Sequence, residues 1–282
     1  MQGGGAGRPG RAPAGRALSA ASRERLAQVL ADPRPDLAEA NLLMAVEAYP
    51  ALDLPAQLAR VDRLAETARG RGGTVDAVAA ALRDAGLRGD REDYDDPRNS
   101  FLNDVLDRSL GLPIALSALT VAVAERVGAA VAPVGMPGHF IVADLAAEPA
   151  RYLDPFDAWA ELSVADCQRR VAETAGVPFD PAFLAPIGAA QTLLRMLANL
   201  RGSYLRRRRL GDALWTVELS IVASPEPGPL PRERAALLAA VGRYADAEQA
   251  LIAYLGDRPD DAERRETEIQ LATVRDLRVR MN

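Results

Sequence analysis

The run from Pro113 to Val127 restricts the fold more than any other stretch of the chain. Ile114, Leu116, Leu119, Val121, Val123 and Val127 are interleaved with alanines, leaving hardly any polar face until Glu125 and Arg126. Pro113 suits the first position of a helix, where the N–H that proline lacks has no intrahelical partner in any case. A helix apolar on all sides must be buried between other layers. Ser117 lies one turn beyond Pro113, on nearly the same face. Its hydroxyl is expected to bond back to a carbonyl one turn earlier, the alternative being a nucleophile or a ligand contact.

Beyond Gly128 the hydrophobic period changes to that of strands, over Ala130 to Val134, Gly138 to Leu145 and Arg151 to Asp154. If the last two pair as a hairpin, the register that opposes Ala143 with Ala150 also opposes Ile141 with Tyr152 and His139 with Asp154. Opposed residues have Cβ atoms about 5 Å apart, which lets a carboxylate reach an imidazole. His139 is the only histidine. An aspartate there fixes the imidazole tautomer, as a general base requires and as a structural buried histidine equally requires.

Upstream, from Ser22 to Leu87, apolar residues recur at helical spacing in four stripes: Leu26, Val29, Leu30; Leu37, Leu42, Leu43, Val46; Leu54, Leu58, Val61, Leu64; and Val75, Val78, Leu82. Four short helices are expected. The acidic loop Asp90 to Asp96 lacks the turn glycine and terminal glutamate of a calcium loop, and Asp96-Pro97 reads as a helix N-cap followed by proline. That cap is expected to open a helix carrying Phe101, Leu102, Val105 and Leu106 and ended by Gly111 in the left-handed conformation.

The order of these parts, a buried helix, then the histidine, then Asp154-Pro155-Phe156, is that of a cysteine acyl-transfer site lacking its cysteine. A thiol attacker belongs at the start of the helix, where the dipole and free N–H groups lower its pKa and hold an oxyanion. Pro113 stands there. Cys167, the only cysteine, falls in Ser163 to Cys167, which reads as the start of a later helix, and is expected to be a small packed residue. One cysteine makes no internal disulfide, which points to a reducing compartment, the cytoplasm. A net charge of -5 gives no footprint for nucleic acid, and no apolar run is free of charge for long enough to cross a bilayer. No cofactor and no metal is expected.

Four ordered motifs now carry a resemblance: Asn99 to Leu106, Gly111 to Ser117, Pro137-Gly138-His139-Phe140 and Leu153-Asp154-Pro155-Phe156. Together they resemble the SirB-type branch of the transglutaminase-like superfamily, over about Asp36 to Phe183 and on into the tail. The resemblance implies an α+β, papain-like core, a central helix on a small antiparallel sheet, with a Cys-His-Asp triad in active members. His139 matches the histidine and Asp154 the aspartate. The cysteine falls at or beside Pro113, where this chain departs from the pattern. Pro113, Ser117 and Asn103 are the expected cleft residues.

The tail carries an internal repeat. Asp212-Ala213 recurs as Asp246-Ala247 and Pro225 as Pro259, each offset by 34 residues, the period of a tetratricopeptide helix pair. Residues 261–280 have the polar outer face of a capping helix. The run Arg206 to Arg209 reads as the solvated end of a helix, with an acidic segment or nucleic acid as the alternative contact.

The expected organisation is a disordered tail over 1–21, a transglutaminase-like domain over 22–186 (helical part 22–90, core 91–186) and tetratricopeptide-like helices over 187–282. The expected function is a non-catalytic interaction module that binds a protein or peptide through its helical repeats and binds neither nucleic acid nor membrane. The alternative is a hydrolase or acyl-transfer enzyme using His139 and Asp154 with Ser117 or water as attacker.

Overall fold

The computed structural model describes residues 20–226, 228–257 and 261–281. The four N-terminal stripes form α1 (Ala20–Ala31), α2 (Leu37–Ala48), α3 (Leu54–Arg69) and α4 (Val75–Asp84). Asp36, Asp53 and Thr74 cap the last three through their side-chain oxygens, satisfying N–H groups that a helix start leaves free. Of the tail expected over 1–21, residues 1–19 lie outside the described residues, and Ala20 and Ala21 already belong to α1.

The next segment departs from expectation at both ends of its helix. Asp96 caps a short 3-10 turn, Pro97–Ser100, after β1 (Arg88–Gly89), and the chain restarts as α5 (Leu102–Arg108). The left-handed residue ending α5 is Ser109, at φ 58°, and not Gly111. Gly111 instead lies in β2 (Leu110–Gly111), which pairs in parallel with β1, and a Cβ on it would come within 3.1 Å of Val105 and 3.2 Å of Leu116. Close approach, not backbone handedness, is what requires glycine there.

Then follows α6 (Pro113–Val127), with every residue from Pro113 to Ala124 buried, as its apolar circumference dictates. Beside it lie β3 (Val131–Val134), β4 (Ile141–Asp144), β5 (Arg151–Asp154) and β6 (Ala160–Leu162), an antiparallel sheet in the order β3-β4-β5-β6. Strand alternation divides the sheet's two faces. Val142 and Leu153 join the main core with α6, whereas Ile141 and Ala143 pack with Cys167 and Val171 of α7 (Val164–Ala175).

The tail folds as α8 (Ala189–Arg206), α9 (Leu210–Ala223), α10 (Leu230–Ala240), α11 (Tyr244–Asp257) and α12 (Asp261–Met281). The 34-residue offset recurs in side-chain bonds. Arg209 Nε donates to Asp212 Oδ2 at 2.7 Å, and Arg243 Nε donates to Asp246 Oδ2 at 2.6 Å. Arg208 and Gly242, one period apart, both turn with positive φ. The other half of the Pro225/Pro259 match, Pro259, lies outside the described residues. In α12, Leu271 and Val274 are buried, while Ile269 and Val279 stay exposed on a face expected to be polar.

The helical tail and the first part share one core. Buried Asn41 of α2 accepts from Leu102 N–H at 2.8 Å, donates to Ser100 O at 3.2 Å and approaches Met196 Sδ of α8 at 3.5 Å. Every polar group it buries therefore has a partner.

Candidate functional site

His139 stands just before β4, beyond a tight turn. Gly138 adopts φ 73°, and a Cβ there would come within 2.5 Å of Thr174 Oγ1, so the turn is pressed against α7. Arg195 of α8 donates to Met136 O at 2.8 Å and places its guanidinium 5.1 Å from the Phe140 ring centroid, clamping the turn from the other side. Burial, with no anionic partner among the described residues, holds the Arg195 pKa below its usual value.

The structure brings His139 and Asp154 together by a register other than the expected one. Ala143 opposes Tyr152 and Val142 opposes Leu153, two residues away from the hairpin with Ala143 against Ala150. A two-residue slip keeps each side chain on its face, whereas a slip of one would have separated the pair. Asp154 also ends β5 and caps the 3-10 turn Pro155–Asp157, its Oδ1 accepting from Phe156 N–H at 3.0 Å. Its Oδ2 lies 2.8 Å from His139 Nε2 and 3.2 Å from Arg170 Nη1 of α7. Asp154 is fully buried and His139 nearly so.

Phe156 connects this pair to the start of α6. Its ring meets the imidazole edge to face, with centroids 6.5 Å apart. On its other side it lies against Gly89, where a Cβ would stand 2.4 Å from the ring. Gly89 in turn pairs with Gly111, two residues before Pro113. Arg91 lies 5.2 Å from the Phe156 centroid and Tyr94 packs against it edge-on at 5.8 Å, so the acidic loop roofs the ring. Burial, with Asp95 and Asp154 nearby, raises the Tyr94 pKa. The next residues turn back onto α6, where Trp159 Nε1 donates to Thr120 Oγ1 at 2.9 Å.

Pro113 is the first residue of α6, and among the described residues no side chain caps that end. Ser117 is completely buried, and its Oγ has no hydrogen-bond partner among the described residues. The expected bond to a carbonyl one turn earlier is therefore absent; Thr120 makes it instead, to Leu116 O at 2.7 Å. Asn103 of α5 is buried, and its Oδ1 likewise lacks a partner among the described residues. Cys167 packs on the sheet face turned away from α6, with Val134, Met136, Ile141 and Val171. Burial pushes its thiol up to about 11, with Asp166 adding to the rise, which makes it a poor nucleophile at neutral pH.

An ionised carboxylate only accepts, so Nε2 donates to Asp154, and in the neutral imidazole the lone pair then sits on Nδ1. Nδ1 has no hydrogen-bond partner among the described residues. Such an imidazole is oriented as a base, but Arg170 draws on the same carboxylate oxygen and competes with it for the charge. Among the described residues no hydroxyl or thiol comes within a hydrogen bond of the ring. Arg170, Arg195, Gly89 and the roofing residues Arg91 and Tyr94 were not foreseen from the sequence. Arg170 is three residues after Cys167 on a helix whose spacing was readable, but which strand end it would reach was not.

A wholly apolar helix packed on a small antiparallel sheet that bears a His–Asp pair, followed by antiparallel helical repeats, defines a transglutaminase-like protein with a repeat tail. The model of the transglutaminase-like superfamily matches residues 51–198, more than half of the chain, and the chain belongs to that family. A tetratricopeptide repeat model matches residues 200–272. A UPF0162 protein of Xylella fastidiosa (strain 9a5c) is 32% identical over 175 residues, 60% of this chain and 62% of the relative. A UPF0162 protein of Vibrio cholerae is 28% identical over 144 residues, 50% of this chain and 53% of the relative. F-box only protein 21 of Mus musculus is 30% identical over 135 residues, 45% of this chain and 21% of that protein. The chain thus spans about three-fifths of the length of the Xylella relative. No solved structure matches. Among the described residues no helix is long and apolar enough to cross a membrane.

Proposed function

We propose that this chain is a non-catalytic protein-interaction module of the SirB-type branch, working in the cytoplasm. In this reading the transglutaminase-like domain keeps the frame of its cleft, and the helical tail presents the partner surface. The observation that carries it is Pro113 at the first position of α6, together with a sole thiol that is fully buried on the other face of the sheet. Without a nucleophile at the helix start, the N-terminal donors and dipole have no attacking atom to activate. His139 and Asp154 then serve to fix β4, β5 and the turn at Phe156, and Arg170 completes the pairing of a fully buried carboxylate.

A second reading is favoured by one observation, the unpartnered Nδ1 of His139. That nitrogen is free to accept a proton from water, giving a hydrolase with Asp154 as orienter. A panel of amide, ester and peptide substrates, run with wild type and His139→Ala, separates the two. The module predicts no turnover that the substitution removes, together with retention of co-purifying proteins by the variant. Activity abolished by His139→Ala would establish the hydrolase instead.

A further inference from the structure

The run Arg206 to Arg209 closes α8 and opens the turn to α9, and all four residues are exposed. It faces the acidic loop from the other part of the molecule. Arg206 pairs with Asp95, Arg207 Nη2 lies 3.4 Å from Asp93 Oδ1, and Ser203 Oγ donates to Asp95 O at 2.5 Å. Arg209 pairs with Asp212 and lies 4.7 Å over the Tyr204 ring, whereas Arg208 has no carboxylate partner among the described residues. Four guanidinium groups thus meet three carboxylates, and one cation is left over.

The two ends of the loop are held differently from its tip. Asp90 and Asp96 are buried. Asp90 accepts from Glu92 and Asp93 N–H at 3.1 Å and from Arg108 at 3.2 Å. Asn99 Nδ2 donates to Asp93 O at 2.7 Å. The backbone is therefore fixed without the tip carboxylates. Those carboxylates, Asp93 and Asp95, are 60% and 55% exposed, and their arginine partners 39% and 59%. Exposed pairs of this kind contribute little, and they are readily exchanged for another carboxylate.

We propose that the arginine end of α8 is a docking site for an acidic peptide segment, and that Asp93 and Asp95 are built-in competitors occupying it in the free protein. The loop displays the ligand chemistry, two carboxylates two residues apart on a turn closed by Asp96 N–H to Asp93 O at 3.0 Å, and Arg208 supplies a cation that the loop does not use. Flanking Asp93, Asp95 and Asp212 disfavour the continuous phosphate chain of a nucleic acid, to which a net charge of -5 adds repulsion. The inference rests on the interaction-module reading only for the existence of a partner. The substrate panel tests that reading and the titration below tests this one, so that either fails alone.

The probe is a fluorescein-labelled peptide of alternating Asp and Ser, titrated at low ionic strength with the full chain, beside an Asn-Ser control and a single-stranded oligonucleotide of equal charge. Wild type is expected to bind the Asp peptide and not the Asn control. Arg206→Glu with Arg207→Glu is expected to weaken binding about tenfold or more. Asp93→Asn with Asp95→Asn is expected to tighten it about threefold or more, because two competitors are removed while every arginine stays. That pair of substitutions leaves the buried carboxylates in place, so it serves even if the charge reversal fails to fold. Unchanged or weaker binding by the Asn pair, absence of binding by wild type, or tighter binding of the oligonucleotide overturns the proposal.

Discussion

Arg170 and His139 converge on a single oxygen, Oδ2 of Asp154, one from α7 and the other from the turn before β4. The carboxylate has no access to water, and its remaining oxygen is held by the Phe156 N–H, so all of its charge is carried by protein groups. Its burial is tolerable only because those partners are present. This three-way joint ties α7, β5 and the His139 turn together on the sheet face that packs against α7.

Removal of the carboxylate is therefore expected to be costly. Asp154→Ala leaves a guanidinium and an imidazole facing each other without their counter-ion and should destabilise by about 3–5 kcal/mol. Asp154→Asn keeps one acceptor oxygen and is expected to lose less. Urea unfolding of the two variants checks this, and a loss below about 1 kcal/mol for the alanine would mean that the joint is not structural.

Ser117 predicts the opposite sign. Its hydroxyl is buried in the middle of an apolar helix with no acceptor or donor among the described residues. A buried polar group without a partner carries its desolvation cost uncompensated. Ser117→Ala is thus expected to be neutral or to stabilise by up to about 1 kcal/mol, with no change in any activity. Clear destabilisation in thermal unfolding would show that the hydroxyl has a partner in solution.

Gly89 tests the wall between the imidazole and α6. A side chain there has to displace the Phe156 ring, which a Cβ would approach to 2.4 Å. Gly89→Val is expected to cost about 1–3 kcal/mol by overpacking and to move the ring away from His139. Since the chain has a single histidine, the shift is readable in one imidazole proton resonance. An unmoved resonance with unchanged stability would contradict the packing.

Much of this architecture was legible because apolar spacing reports burial directly. The uninterrupted apolar surface of α6 required two covering layers, and the sheet and the other helices supply them. The stripes of α1 to α4, the cap Asp96 and the start of α7 near Ser163 were equally readable, since each depends on neighbours in sequence. The His139–Asp154 pair was found through a register that was wrong by two residues, because face is a matter of parity and survives an even slip. What was not legible depended on distant partners. Gly111 resembled a helix end, whereas its requirement is set by Val105 and Leu116. Arg170 and Arg195 act on turns far away in sequence, and the basic run at 206–209 found its counterpart in a loop more than a hundred residues earlier.

Glu47 supplies a pH dependence of defined sign. It lies where α2 meets α1 and α9, and burial raises its pKa to about 7 from an ordinary 4.5, with Arg23 opposing the rise and Glu218 adding to it. The folded state thus holds a proton that the unfolded chain has released between about pH 4.5 and 7. Over that window stability falls as pH rises, and above it the full penalty of burying the charge remains. Glu47→Gln removes the charge at every pH. Its melting temperature is expected to exceed that of wild type at pH 8 and to converge on it near pH 4.5, where the glutamate is protonated in the folded protein as well. The difference between the two proteins isolates this carboxyl from the others that titrate in the same range. A gap of equal size at both pH values would show that Glu47 ionises normally in the folded protein.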